Sequence, residues 1–428
     1  MRVFYGWWIV AACMIAALVG NALGLFGAGV YLHEVVTANG WTTGLVSGAI
    51  TLFYLVSALL LIPVGSGIRR LGPRPVIALA GVSLAIGVIE IGKATVPWEV
   101  YLAFLFMGIG WAGLSTTAVA TTLAPWFDRH QGRATSIASL GASIGGIIGA
   151  PLLLFGIARI GFASTTLLAG VVAVIVVLPL ASLVLRHRPQ DMGLLPDGLA
   201  PVEAAKIDSP TWTGLMALRT LALRTVMATF GIGMMVQIGF LTHQITLLAP
   251  SVGPMAASMT VSATAVAALL GRLALARFAD QIDARVGTAT VLLIAAGALG
   301  AMALFPSAPI LVGASIVVGL TVGNVTTLSP IIVRREFGAQ EFGTIFGIAS
   351  CGIQLIAALG PSFYGLLRDA FGSYGPALLI AAALDIAAAT IAIVGHRKLT
   401  AVAYVLVVPF LSLDGRSPAE QGDIGDVR

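Results

Sequence analysis

Apolar residues run through this chain in twelve stretches, near 7–33, 43–66, 75–93, 98–123, 135–158, 162–185, 222–249, 255–276, 286–305, 308–332, 342–367 and 374–395. Each is long enough to cross a hydrocarbon core of ~30 Å. Polar residues collect in the short gaps, so the pattern predicts an all-α polytopic membrane protein with twelve transmembrane helices. Landmarks recur at an offset of about 210 residues: Phe127 answers Phe337, Pro151 answers Pro361, and Gly29 with His33 answers Gly239 with His243. The basic loops 65–74 and 276–285 lie 211 residues apart. The chain therefore divides into a six-helix bundle at 1–185, a linker at 186–221, a second bundle at 222–398 and a tail at 399–428. Duplicated bundles of this kind rock about a site near the midplane.

Composition agrees with a bilayer as the solvent. Hydrophobic residues make up 58% and charged residues 10%, and the mean hydropathy is +1.01, outside the range of soluble domains. With the N-terminus inside, 19 of the 23 basic residues fall on the cytoplasmic side; only Lys93, Arg159 and Arg368 fall outside, and Arg272 lies within the membrane. Both termini and the linker are thus expected in the cytoplasm, in an inner membrane of bacterial type. The net charge of +5 is a topology signal with no basic stripe, which excludes nucleic acid as a partner. The first apolar run follows Arg2 alone, is too long for a signal core, and reads as the first span.

Chemistry of other kinds finds little support. Cys13 and Cys351 fall inside apolar helices as small packing residues. No His, Cys and carboxylate cluster has metal-ligand spacing, and no phosphate-binding loop is present, so neither cofactor nor enzyme activity is expected. Energy then comes from an ion or solute gradient, in a chain expected to be monomeric. Pro189, Pro196, Pro201 and Pro210 mark the linker as extended, with a short helix expected over 211–219. Gly141, Gly145 and Gly149 free one face of the fifth helix for close packing or for a sliding contact between the halves. Residues 401–413 are apolar but too short to span.

Several segments resemble the major facilitator superfamily, and within it the monocarboxylate and oxalate:formate transporter branch. They are Tyr5-Gly6-Trp7-Trp8, Trp126-Phe127 with Gly132 and Ala134, the run from Arg188 to Gly198, and Gly271-Arg272. The resemblance implies the major facilitator fold and alternating-access transport. It also implies an acid four residues after Gly65 that holds the cytoplasmic side closed; Arg69 stands there, whereas Asp280 keeps that role in the second loop. Oxalate carriers of this branch add a lysine in the eleventh helix, which this chain lacks. Animal monocarboxylate carriers place a proton-coupling aspartate one turn before the arginine, where this chain has Ala268. A monoanion therefore fits better than a dianion, and proton symport through that relay does not follow.

Arg272 is the most specific candidate for substrate contact. A guanidinium deep in a bilayer needs water or an anion, and its fork matches a carboxylate; snorkelling to the nearby membrane end or pairing with another helix are the alternatives. His243, beside Gln244, is a candidate for substrate or gate, while His33, beside Glu34, fits an interfacial histidine near the outer gate. Asn21, Gln237, Asn324 and Gln354 are mid-helix amides that would meet either substrate or a neighbouring helix, and Tyr31, Tyr54, Trp111 and Tyr364 are candidate cavity walls. Asp385 in the twelfth helix is either a coupling acid or a protonated structural one. Together these residues point to a secondary transporter of a small organic anion, with protons or a counter-anion as candidate coupling partners. A proton-coupled exporter of hydrophobic compounds and a non-transporting sensor are the competing expectations.

Overall fold

The computed structural model describes residues 4–128, 130–198, 214–278, 283–337 and 342–411. Twelve apolar helices carry the chain: α1 (Gly6–Asn39), α2 (Thr43–Leu71), α3 (Pro73–Ile91), α4 (Pro97–Leu123), α5 (Gln131–Ile160), α6 (Phe162–Val184), α7 (Leu221–Val252), α8 (Pro254–Leu275), α9 (Ala284–Leu304), α10 (Ala308–Phe337), α11 (Ile345–Phe371) and α12 (Gly375–Gly395). Each expected stretch lands on one of them, and no strand occurs among the described residues. Turns between helices use residues suited to them. Gly72, Gly161 and Gly253 take positive φ values of 86°, 81° and 84°, which a side chain would resist. Pro73 and Pro97 open α3 and α4, where a missing N–H leaves no bond unmade. The backbone helix that begins α12 continues to Leu411.

Helix α6 shows how the bundle meets lipid: Leu168, Val172 and Ile175, on one face, are exposed. Inside, small residues allow backbones to touch, because packing rather than water exclusion joins helices in a bilayer. A Cβ on Gly145 would lie 2.6 Å from the Leu18 carbonyl and one on Gly149 2.9 Å from the Ala22 Cα, while Gly141 abuts the Met14 carbonyl. The Gly141, Gly145 and Gly149 face therefore packs α5 on α1 within one half. The contact between halves lies on a neighbouring face. There Gly146 approaches Ala265 of α8, and the Ser262 hydroxyl donates to the Ile147 carbonyl at 2.5 Å.

Helices α1, α4 and α11 are interrupted within their length. In α1 the segment Asn21–Leu25 is a π-turn, with the Phe26 N–H donating to the Asn21 carbonyl at 3.0 Å and the Asn21 side-chain amide donating to the Ala17 carbonyl at 2.8 Å. Helix α4 breaks at Ser115, whose hydroxyl accepts from the Ala118 N–H and restarts the helix. Helix α11 breaks between Ala357 and Gly360, leaving Gly360–Phe371 as a short segment of its own. Interrupted helices of this kind are common around transporter binding sites.

The linker begins as two 3-10 turns, Pro189–Met192 and Pro196–Gly198, docked on the first half. The Asp197 N–H donates to the Trp126 carbonyl at 3.0 Å, and the Asp197 carboxylate accepts from the Asp128 N–H at 2.8 Å and lies 3.1 Å from His130 Nδ1. Asp197 adopts φ +56°, a left-handed conformation that Asp tolerates better than most residues. Helix Gly214–Arg219 then leads into α7, within the stretch where the sequence predicts a short helix. In the second half the Arg285 guanidinium clamps four helices. It bonds Glu336 at 2.6 and 2.9 Å, Thr225 at 3.1 Å, and the Ala392 and Ala222 carbonyls. Arg74, at the same place in the first half, instead donates to the Leu185 carbonyl at 2.7 Å.

Candidate functional site

Arg272 is positioned by a close approach of α8 and α10. A Cβ on Gly271 would collide with the Leu320 carbonyl, and one on Gly323 would collide with the Ala268 carbonyl and come within 3.2 Å of the Arg272 Cβ. The glycines therefore seat Arg272 directly beside the middle of α10. Its side chain is half-buried, its Nε is buried without a hydrogen-bond partner, and no described carboxylate pairs with it. Asn324, next to Gly323, donates its side-chain N–H to the Leu320 carbonyl at 3.0 Å and keeps a buried Oδ1 without a partner. A cationic fork and an amide oxygen thus stand on adjoining helices with bonding capacity unused, as a polar solute requires.

The first half supplies aromatic surface near the α1 interruption. A Cβ on Gly24 would meet Trp111 at 2.7 Å; Trp111 in turn packs against Phe53 and Tyr54, with ring centroids 5.6 and 6.1 Å away. The Trp111 indole N–H is buried and unpartnered. Asn21 sits in the π-turn against Gly145. Gln237 is buried in α7 with an unpartnered Nε2, and Gln354 is half-buried in the longer segment of α11. Tyr31 lies deeper in the first half, its ring near Phe104 and Phe162, and His33 is half-buried two residues further on, its Nδ1 without a partner. Asp280 lies outside the described residues.

The two halves meet on the side opposite the linker. Pairing there is principally α1 with α7, α2 with α11, and α5 with α8, and no comparable contact joins α4 to α10 among the described residues. The α2–α11 seam is polar. Asp369 accepts from the Thr43 N–H at 3.2 Å and the Gly44 N–H at 2.6 Å, so a carboxylate from one half caps a helix N-terminus of the other. Ser362 bonds Thr51 through its hydroxyl at 2.8 Å and its N–H at 3.1 Å.

His243 completes this seam. Its Nε2 lies 3.0 Å from the Pro361 carbonyl and 3.2 Å from the Ser47 hydroxyl, and its Nδ1 lies 2.9 Å from the Tyr374 hydroxyl. The carbonyl can only accept, so Nε2 carries the proton and Nδ1 accepts from Tyr374. Both ring nitrogens are engaged, and the ring stacks on Tyr364 at 5.8 Å. The structure accordingly places His243 in the contact between halves, apart from Arg272.

Sequence reasoning does not single out Asp369 or the Arg285–Glu336 clamp. Asp369 follows Arg368, 3.4 Å away, and reads in sequence as half of a neighbouring pair. Its signal is the repeat offset, which puts Arg159 at the equivalent place and so marks an asymmetry between the halves. On the linker side Arg69 lines a cleft of ≈ 240 Å³ with Arg188, His187, Thr121 and Thr122, and its carbonyl lies 3.2 Å from His187 Nε2.

Two six-helix halves of apolar helices that close on one side around buried and half-buried polar groups define a polytopic membrane carrier. The chain belongs to the Major Facilitator Superfamily, whose family model matches residues 13–251. It is 27% identical over 394 residues to monocarboxylate transporter 13 of Rattus norvegicus, covering 90% of this chain and 87% of that protein. It is 30% identical over 387 residues to a 38 kDa protein encoded in a 23S RNA operon of Thermoproteus tenax, with 88% of each chain covered. A crystal structure of a bacterial homologue of the human lysosomal transporter Spinster, inward-facing and unoccupied, superposes with a TM-score of 0.69 at 17% identity, covering 98% of this chain and 100% of that one. That last likeness concerns the fold.

Proposed function

We propose that this protein is a secondary carrier of the monocarboxylate branch, moving a small organic monoanion across a bacterial inner membrane by alternating access. The observation that carries the reading is Arg272: a half-buried guanidinium in α8, seated against mid-α10, whose Nε has no partner. Holding such a cation in a membrane is costly unless an anion or water meets it, and a carboxylate satisfies its fork with two charge-assisted bonds. Asn324 is placed to orient the same solute, with Trp111 and Tyr54 as apolar wall. The relative named monocarboxylate transporter 13 supports the substrate class across most of the chain. No second deep cation accompanies Arg272, which favours one carboxylate over two.

The basic residues put the linker side in the cytoplasm. In that orientation the Asp369, Ser362 and His243 contacts form the outer gate, and the carrier faces inward. Counterflow in proteoliposomes tests the function: saturable exchange of labelled short-chain monocarboxylates, competed by other monocarboxylates, is expected. Exchange of hydrophobic neutral or cationic compounds with no response to carboxylates would favour the exporter instead, and no exchange across a broad panel would favour a sensor.

A further inference from the structure

The cleft on the linker side belongs neither to the Arg272 region nor to the α2–α11 seam. Its ≈ 240 Å³ is far more room than a single water needs. Its two guanidinium groups come from different elements: Arg69 lies in the last turn of α2, and Arg188 stands in the linker just before the turn Pro189–Met192. Arg69 folds back along its helix toward α4. A Cβ on Gly65 would lie 3.6 Å from an Arg69 guanidinium nitrogen and 3.9 Å from the Thr121 hydroxyl. His187 holds the linker in place over the α2–α3 turn. Its Nε2 donates to the Arg69 carbonyl at 3.2 Å, and its ring packs so closely on Gly72 that a Cβ there would lie 3.3 Å away.

Positive charge accumulates here without a counter-charge. Arg70, Arg74 and Arg186 lie within a few residues of the lining, and no described carboxylate pairs with any of the five arginines. Arg74 and Arg186 spend bonds on the Leu185 carbonyl, at 2.7 and 3.3 Å, whereas Arg69 and Arg188 are exposed. Asp191 accepts from the Arg188 backbone N–H at 3.1 Å but makes no ion pair with its guanidinium. Like charges gathered in this way repel one another, and a bound anion relieves the repulsion.

The geometry selects among anions. A carboxylate offers one edge, which a single guanidinium fork fills. A phosphate offers pairs of oxygens on several edges, so forks that arrive from two separate elements can bind it together. Exposed Leu71, at the end of α2, and exposed Leu183, at the end of α6, put apolar surface beside the arginines. A basic pocket between helix ends with such a border suits the headgroup of an anionic lipid.

We propose that this cleft is a phosphate-binding site, with Arg69 and Arg188 as its two forks. An anionic phospholipid headgroup and a soluble phosphate ester share the chemistry, and the test separates them. The inference goes beyond the transported solute and is independent of Arg272.

The test uses the full chain purified in a neutral detergent at fixed ionic strength. Its thermal unfolding midpoint is followed as short-chain phosphatidylglycerol, glycerol phosphate or inorganic phosphate is added. Short-chain phosphatidylcholine, whose headgroup has no net charge, is the control. A saturable rise is expected with at least one of the three phosphate ligands and none with phosphatidylcholine. A rise confined to phosphatidylglycerol identifies a lipid site, and a rise with glycerol phosphate or inorganic phosphate identifies a soluble one. Arg69→Gln and Arg188→Gln should each raise the apparent dissociation constant roughly fivefold or more. Arg69→Asp, which sets a carboxylate in the cleft, should abolish the response, while Arg70→Gln, outside the lining, should keep it. Both lining arginines are exposed, so the variants should fold, and their midpoints without ligand report this. No response to any phosphate ligand, or an Arg69→Asp variant that responds as the wild type does, overturns the proposal. Neither outcome bears on the monocarboxylate reading, which counterflow tests separately.

Discussion

The carboxylate of Asp369 and the backbone N–H of Gly44, 325 residues apart, meet at 2.6 Å across the two halves. The bond places a negative charge at the positive end of α2, and it can exist only while the seam is closed. Asp369→Asn keeps an acceptor but removes the charge. With part of the carboxylate exposed to solvent, the closed form should lose about 1 kcal/mol, or roughly fivefold in the closed-to-open ratio. Labelling of Thr43→Cys from the outer side would report it as faster modification in Asp369→Asn; unchanged labelling would mean that the contact does not govern closure.

Gly365 gives the same seam a steric test. A Cβ there would lie 2.6 Å from the Ser47 Cβ and 3.1 Å from the Gly44 Cα, so Gly365→Val should prevent closure without touching Arg272. Substrate binding from the outside should persist while turnover collapses. Normal transport would show that α2 and α11 have more room than their packing indicates.

The Arg285–Glu336 pair is a matter of stability. Arg285 is nearly fully buried and Glu336 mostly so, and removing one partner of a buried pair costs about 3–5 kcal/mol. Glu336→Gln, which retains an oxygen acceptor, should fall at or below the low end of that range and lower the thermal unfolding midpoint in detergent. In the first half, where Arg74 stands at the place of Arg285, Arg74→Gln breaks only a bond to the Leu185 carbonyl and should cost less. Equal losses would contradict the asymmetry between the halves.

Orientation can be checked with single cysteines on opposite sides of the bundle. Lys93, at the α3–α4 turn, and Arg334, near the linker-side end of α10, are both exposed. An impermeant maleimide added to intact cells should modify Lys93→Cys and spare Arg334→Cys. The reverse pattern would invert the membrane orientation and turn the closed seam into an inner gate.

The helices are legible in the sequence because the bilayer demands long apolar runs and the duplication repeats its landmarks. What escapes is whatever depends on partners distant in the chain. His243 is visible as a polar residue in α7, but its bonds come from Ser47, Pro361 and Tyr374, on helices whose packing no local pattern encodes. Asp369 is masked by its proximity to Arg368. The glycines of α5 are recognisable as a packing face, yet only the backbone contact with Met14, Leu18 and Ala22 assigns that face to α1. Arg272 is the opposite case, because an arginine inside an apolar run stands out from the sequence alone.

Binding of a monocarboxylate to purified, correctly inserted Arg272→Lys and Arg272→Ala variants is the most direct measurement of what the carrier holds. Lysine keeps the charge and loses the two-pronged geometry. Hydrogen bonds to charged groups contribute about 1.5–3 kcal/mol, so Arg272→Lys should weaken binding roughly tenfold or more while folding persists. Arg272→Ala should abolish both binding and counterflow. Unchanged affinity for the carboxylate in Arg272→Ala would contradict the assignment and leave the polar groups of α8 and α10 without a role in anion transport.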